Sequence, residues 1–286
     1  MTQLLQPLFD TFECFQELNF LQLSNERCTV KQYLKGFDES CRAIDSYLVV
    51  RSFSKSYASN QSTFKSFRTH VERLLLWALI VVRKPLLEPR RSDAERFMEF
   101  CLNPSADCVG PVIKSRFKRI GGRKRLESDE YIVNPDWRPF SSTVSKRERK
   151  LAAETMSDLS SRAYHMAQGS VAQVFAVCGS FFQHAMDEGL TEANPFRAIK
   201  QMSIYKQRNT LDVSSRSLTE LQWSFVIDTA EQMADEDPAH ERTLFVVATL
   251  FAMYLRLSDL IGRDNWRPTK GDLRRDTTGN WWFHVR

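Results

Sequence analysis

Ser59 to Lys84 reads SNQSTFKSFRTHVERLLLWALIVVRK, and within it Phe64, Phe67, Val71, Leu74, Leu75 and Ala78 recur at helical steps. That spacing gathers the apolar side chains on one face of a helix and leaves Lys65, Arg68, Glu72 and Arg73 off it. Pro85 ends the pattern, because proline lacks the amide that another turn would use.

The same period returns on both sides. Leu8, Phe9, Phe12, Phe15 and Leu18 predict an amphipathic helix over residues 4–23, and Tyr33, Leu34, Phe37, Cys41, Ile44 and Leu48 predict another over 30–50. Together they read as an accessory layer covering residues 1–50. Pro89 and Ser92 prepare a helix with Ala94, Phe97, Met98 and Cys101 inward, closed by Asn103-Pro104. Val171, Val174, Phe175, Cys178, Phe181, Phe182 and Ala185 line a further helix from Ser170 to Gly189, followed by a turn at Asn194-Pro195-Phe196. Between these two helices, Gly110-Pro111, Gly121-Gly122, Asn134-Pro135 and Arg138-Pro139 mark 104–155 as an insertion of loops and short irregular elements.

Residues 201–217 are polar and read as a linker from a first domain at 51–200 to a second at 218–286. There Ser217 or Thr219 caps a helix reaching about Ala234, and Pro238 opens another reaching about Tyr254. Gly279-Asn280 is a hairpin turn with Trp281 to Val285 as the outgoing strand. The expected fold class is mainly α.

Composition narrows the function classes. A net charge of +5 permits a polyanionic partner without requiring one. The six cysteines form no C-x-x-C pair, which argues against a zinc module or a redox pair and fits free thiols in a reducing cytoplasm. The apolar runs Leu74–Val82 and Leu244–Leu255 fall short of the ~20 residues that cross a bilayer, so no membrane partner is expected. Met1-Thr2-Gln3-Leu4 opens no secretory signal. No glycine-rich phosphate loop surrounds Gly121-Gly122, so neither ATP nor a nicotinamide cofactor is implied, and no cofactor is expected.

Tyr254-Leu255-Arg256-Leu257-Ser258-Asp259-Leu260 ends an apolar helix about forty residues into the second domain. It resembles the first catalytic box of the tyrosine recombinases, the phage integrase family, whose pattern is glycine, aliphatic, arginine, aliphatic, small, acid, leucine. Tyr254 stands where that family has glycine. Leu218-Thr219-Glu220 is similar to the family's opening of the catalytic domain, and Trp266–Trp282 would supply its small sheet. Thr63–Trp77 and Ser170–Phe196 resemble the helices and closing turn of its core-binding domain. The resemblance covers about residues 45–286, with 104–155 as a departure. It implies a helical, SAM-like core-binding domain followed by the beginning of an α+β catalytic domain.

By that resemblance the partner is double-stranded DNA, engaged by a tetramer of full-length protomers. The reaction is attack of a tyrosine hydroxyl on a phosphodiester, whose transition state gathers negative charge on the phosphoryl oxygens. Arg256 would be the first of two arginines neutralising that charge, and Asp259, one helical turn on, would hold its guanidinium. Neither the family's lysine hairpin, its histidine-x-x-arginine box nor its nucleophile can be placed. Tyr131, Tyr164, Tyr205 and Tyr254 do not follow the arginine box, and His284 has no arginine three positions on. This polypeptide alone is therefore expected to leave no covalent adduct on a suicide DNA substrate; a tyrosine-linked adduct would overturn that.

Lys65, Arg68 and Arg73 on the central helix are candidate phosphate contacts, as are Lys114, Arg116, Lys118, Arg119, Arg123, Lys124 and Arg125 in a run without an acid. The competing readings are a non-catalytic DNA-binding or regulatory protein derived from the same fold, and a helical interaction scaffold on which the basic run is incidental.

Overall fold

A computed structural model describes residues 5–18, 22–23, 26–121, 130–142, 164–200, 217–263 and 266–285. The chain is mainly α-helical and divides into two units, Met1–Arg208 and Asn209–Arg286. Among the described residues no helix is long and apolar enough to cross a membrane.

The first unit is built from α1 (Phe12–Gln16), α2 (Cys28–Lys35), α3 (Ala43–Lys55), α4 (Gln61–Trp77), α5 (Arg91–Leu102), α6 (Gln168–Asp187) and α7 (Pro195–Lys200). α4 lies where its apolar stripe places it. Asn60 caps it by accepting the Thr63 amide at 3.0 Å. Beyond Trp77 the chain makes a π-helical turn, Ala78–Val82, and stops at Arg83, whose φ is +58°. Aromatic rings tie the helices together. Phe53 of α3 meets Phe181 of α6 edge-on at 5.4 Å, Phe182 stacks on Phe196 of α7 at 5.7 Å, and Phe97 of α5 joins Phe196 at 5.9 Å and Trp77 at 5.4 Å.

Three sequence expectations need correction. Among its described residues the N-terminal segment expected over 4–23 is helical at α1 alone. The Leu8 and Phe9 amides are committed to Glu72 Oε1 on α4, at 2.7 and 3.1 Å, and cannot serve a helical turn there. The helix expected over 30–50 is two helices. Gly36 ends α2, Asp38 caps a 3-10 turn at Glu39–Cys41, and Arg42, at φ +45°, redirects the chain into α3. α3 runs through the expected boundary at residue 50, and Leu8, Phe15, Val30, Tyr47 and Val50 share one core with α4 and α6. Described residues on both sides of position 50 thus contribute to the same core. The Asn194 turn is a helix cap: its side chain accepts the Arg197 amide at 3.1 Å and donates to the Gly179 carbonyl at 2.8 Å, starting α7 at Pro195.

The insertion carries regular structure. β1 (Val109–Gly110) pairs in parallel with β4 (Phe140–Ser141), and β2 (Phe117–Ile120) pairs antiparallel with β3 (Glu130–Val133), Phe117 opposite Val133. Phe117, Trp137 and Phe140 are buried in the common core. The expected linker lies, apart from Ser217, outside the described residues.

The second unit holds α8 (Glu220–Glu236), α9 (Glu241–Ala252), α10 (Leu257–Ile261) and the antiparallel pair β5 (Leu273–Arg275) and β6 (Trp281–Phe283). Thr219 caps α8 and Gln222 reciprocates, at 3.2 and 3.0 Å. α8 and α9 pack together with Trp223 stacked on Phe251 at 3.9 Å. Ala230 is the one buried apolar side chain among this unit's described residues, while Leu221 is 81% and Phe225 72% exposed.

Candidate nucleic-acid interface

The described part of the basic run contains β2, and its base is anchored. Arg116 grips Glu72 on α4 with both terminal nitrogens, Nη1 to Oε1 at 2.8 Å and Nη2 to Oε2 at 2.6 Å, and donates to the Phe9 carbonyl at 2.9 Å. Arg27 pairs with Asp10 and lies 4.0 Å from the Tyr131 ring of β3. Strand alternation then turns Lys118 outward, where it meets Asp136 at 3.2 Å in an exposed pair. Such a pair is worth about 0–1 kcal/mol, so a phosphate can replace it at little cost. Lys114 is exposed and Arg119 half-buried opposite Tyr131. Arg123, Lys124 and Arg125 lie outside the described residues.

Several expected phosphate contacts point inward instead. Arg116 is committed to Glu72. Arg68 donates to the Asp10 carbonyl, and burial, then the Arg116 charge, push its pKa down to about 10. Arg73 donates through Nε to the Pro139 carbonyl at 2.6 Å, with its guanidinium 4.5 Å from the Phe140 ring. Of the α4 candidates only Lys65 is exposed. The correction has a simple cause: a position off the apolar stripe faces water only if no other segment covers it, and here the N-terminal segment and the insertion do.

In the second unit α9 ends in a Schellman motif. The Leu255 amide returns to the Leu250 carbonyl at 3.1 Å and the Tyr254 amide to Phe251 at 3.3 Å, with Tyr254 at φ +53°. Arg256 follows as the N-cap of α10, its side chain exposed. Asp259 does not hold that guanidinium as expected. The helix breaks before Arg256, so the carboxylate accepts the Arg256 backbone amide at 3.0 Å and pairs with Arg263. These two partners, the backbone amide foremost, keep the Asp259 carboxyl below its usual range.

Sequence reasoning passed over Arg267, Lys270, Arg274 and Arg275, which are exposed on and before the β5–β6 hairpin. Their density within ten residues was the available signal. Arg274 lies 5.3 Å from the Trp282 ring and Arg275 donates to the Gly279 carbonyl at 3.1 Å. Among the described residues no His, Cys, Asp and Glu cluster suits a metal ion. All six cysteines are free thiols, and burial pushes Cys101 up to about 12, which leaves it inert at neutral pH.

Tyr254 is 93% exposed, so its side chain contributes little packing to offset a left-handed backbone. Tyr254→Gly is expected to stabilise the second unit by about 1 kcal/mol, read from urea unfolding. An unchanged or lowered midpoint would show that the tyrosine ring stabilises the turn.

Comparison with family models, with curated proteins and with solved structures gives no match to this chain.

Proposed function

We propose that the chain is the DNA-binding portion of a tyrosine-type site-specific recombinase, carrying its core-binding domain and the first arginine of its catalytic set. The observation that carries this reading is the turn before Arg256. The family pattern has glycine at the position of Tyr254, and this backbone adopts there the positive φ that glycine favours. The turn presents an exposed arginine at a helix start, with an acid three residues on fixing the backbone. An arginine so placed can fork onto two phosphate oxygens.

On the outer surface, duplex contact falls to Lys65, Lys114, Lys118 and Arg119 in the first unit and to Arg256, Arg267, Lys270 and Arg274 in the second. Arg123, Lys124 and Arg125 extend the first set by sequence. Labelled duplex, titrated over a salt series, is expected to bind with an affinity that falls steeply as salt rises. Replacing Arg119, Arg123, Lys124 and Arg125 by Ala is expected to flatten the log–log slope by about three to four. Folded protein that ignores duplex at low salt would remove the DNA reading. The exposed Leu221, Phe225 and Phe251 would then favour a protein-interaction scaffold.

A further inference from the structure

α6 starts with Ala167 at its N-cap, so no side chain caps the amides of its first turn. Ala167 and Ser170, at this end of a 20-residue helix, line an open polar cavity of about 570 Å³ shared with Ser66, His70, Arg73 and Gln173. His70 is 6% exposed, and its Nδ1 is buried without a hydrogen-bond partner. Arg73, fixed by Pro139 and Phe140, pairs with no carboxylate among the described residues. A desolvated guanidinium, an imidazole nitrogen without an acceptor and the positive end of a helix thus meet in one place. Arg73 commits Nε to the Pro139 carbonyl and has no carboxylate partner among the described residues, so an anion complements its charge, the helix end and, when Nδ1 carries the proton, the imidazole.

We propose that this cavity is an oxyanion site that takes a phosphate group. Arg73 supplies the fixed charge, the Ser170 hydroxyl and His70 Nδ1–H, in the tautomer that protonates that nitrogen, supply the directed hydrogen bonds, and the positive end of the α6 dipole favours the negative charge. Donors reach the cavity from α4, from α6 and, through Ser141, from β4. Convergence from three sides suits a tetrahedral oxyanion better than a planar carboxylate. The inference rests on the recombinase reading only for the source of the phosphate, a DNA backbone phosphodiester.

The test is calorimetric titration of the full chain with inorganic phosphate, beside duplex binding, in wild type and in Ser170→Asp. A carboxylate in the first turn favours the helix, so this variant is expected to fold while placing a negative charge in the site. Saturable phosphate binding that weakens at least about tenfold in Ser170→Asp, with duplex affinity falling in parallel, is the expected result. Phosphate binding lost in the variant while duplex binding persists unchanged would keep the site and assign it to free phosphate. No phosphate binding, with duplex bound equally by both proteins, would overturn the site and leave the DNA reading standing. Absence of both would remove both. Should Ser170→Asp not fold, Arg73→Gln carries the same comparison.

Discussion

Glu72→Ala is expected to destabilise the first unit by about 4 kcal/mol, a large share of the roughly 5–15 kcal/mol that holds a domain together. Glu72 is 1% exposed and answers two segments at once. Its Oε1 accepts the Leu8 and Phe9 amides, and both of its oxygens receive Arg116. Alanine would strand two buried amides and a partly buried guanidinium, and each orphaned group costs about 1–3 kcal/mol or more. Arg116→Met is expected to cost less than half as much, because the carboxylate keeps both amides. Glu72→Gln should fall between the two, since one oxygen can still serve the amides. Urea unfolding followed by tryptophan fluorescence orders the three variants. An Arg116→Met loss equal to that of Glu72→Ala would show that the ion pair, and not the docking of the N-terminal segment, dominates.

The elements read correctly from sequence are those in which local pattern and burial agree. The stripe from Phe64 to Leu75 lies on α4 and its last member, Ala78, opens the π-helical turn, the stripe from Ala94 to Cys101 is α5, and that from Val171 to Ala185 is α6; all of these are buried except Phe67, which is half-buried. Thr219 caps α8, and Gly279, at φ +96°, turns the β5–β6 hairpin. Where an apolar period ran across a conformational break, the break won. Around residue 7 the Leu8 and Phe9 amides are taken by Glu72 instead of a helical turn, and after Gly36 Asp38 caps a new 3-10 turn, so in both places polar side chains cut across the aromatic spacing.

The polar partners of the site were less legible. Glu72, Arg68, Arg73 and Arg116 look like solvated charges when the only question is whether they lie off the stripe. Their partners sit 44 to 66 residues away in sequence, and periodicity carries no information at that range. His70 was within reach of sequence reasoning, since it lies three residues after Phe67 and four before Leu74, on the edge of the buried face. A histidine at such a position is either satisfied by the core or waiting for something outside it. Here its Nδ1 has no partner. The arginine box shows the reverse case, a short local motif whose backbone could be anticipated from the glycine it replaces, while the partner of Asp259 could not.

The buried His70, without a partner at Nδ1, sets the second large effect. Burial first, and then the Arg73 charge, lower the His70 pKa from 6.5 to about 4, with Gln173 opposing them. Tyr164 and His165, from the segment before α6, line the same cavity, and burial raises the Tyr164 hydroxyl so that it stays neutral. Above pH 6.5 the imidazole is neutral in both states and costs nothing. Between 6.5 and about 4 the unfolded chain takes a proton that the folded chain refuses, so stability falls as pH falls; below about 4 both states are protonated and the loss stops growing. The depressed pKa corresponds to about 3 kcal/mol over that window. Asp38 and Asp93, held below their usual range, add losses of their own at the acid end. The contribution of His70 is therefore the difference between wild type and His70→Asn in urea unfolding at pH 7, 5.5 and 4. Parallel pH profiles would show that His70 is not the proton acceptor. Saturating phosphate is expected to shrink the wild-type loss, because an oxyanion beside Arg73 offsets the charge that keeps the imidazole neutral and stabilises its protonated form. His70→Asn should show no such relief, which separates a phosphate bound at this imidazole from one bound elsewhere on the basic surface.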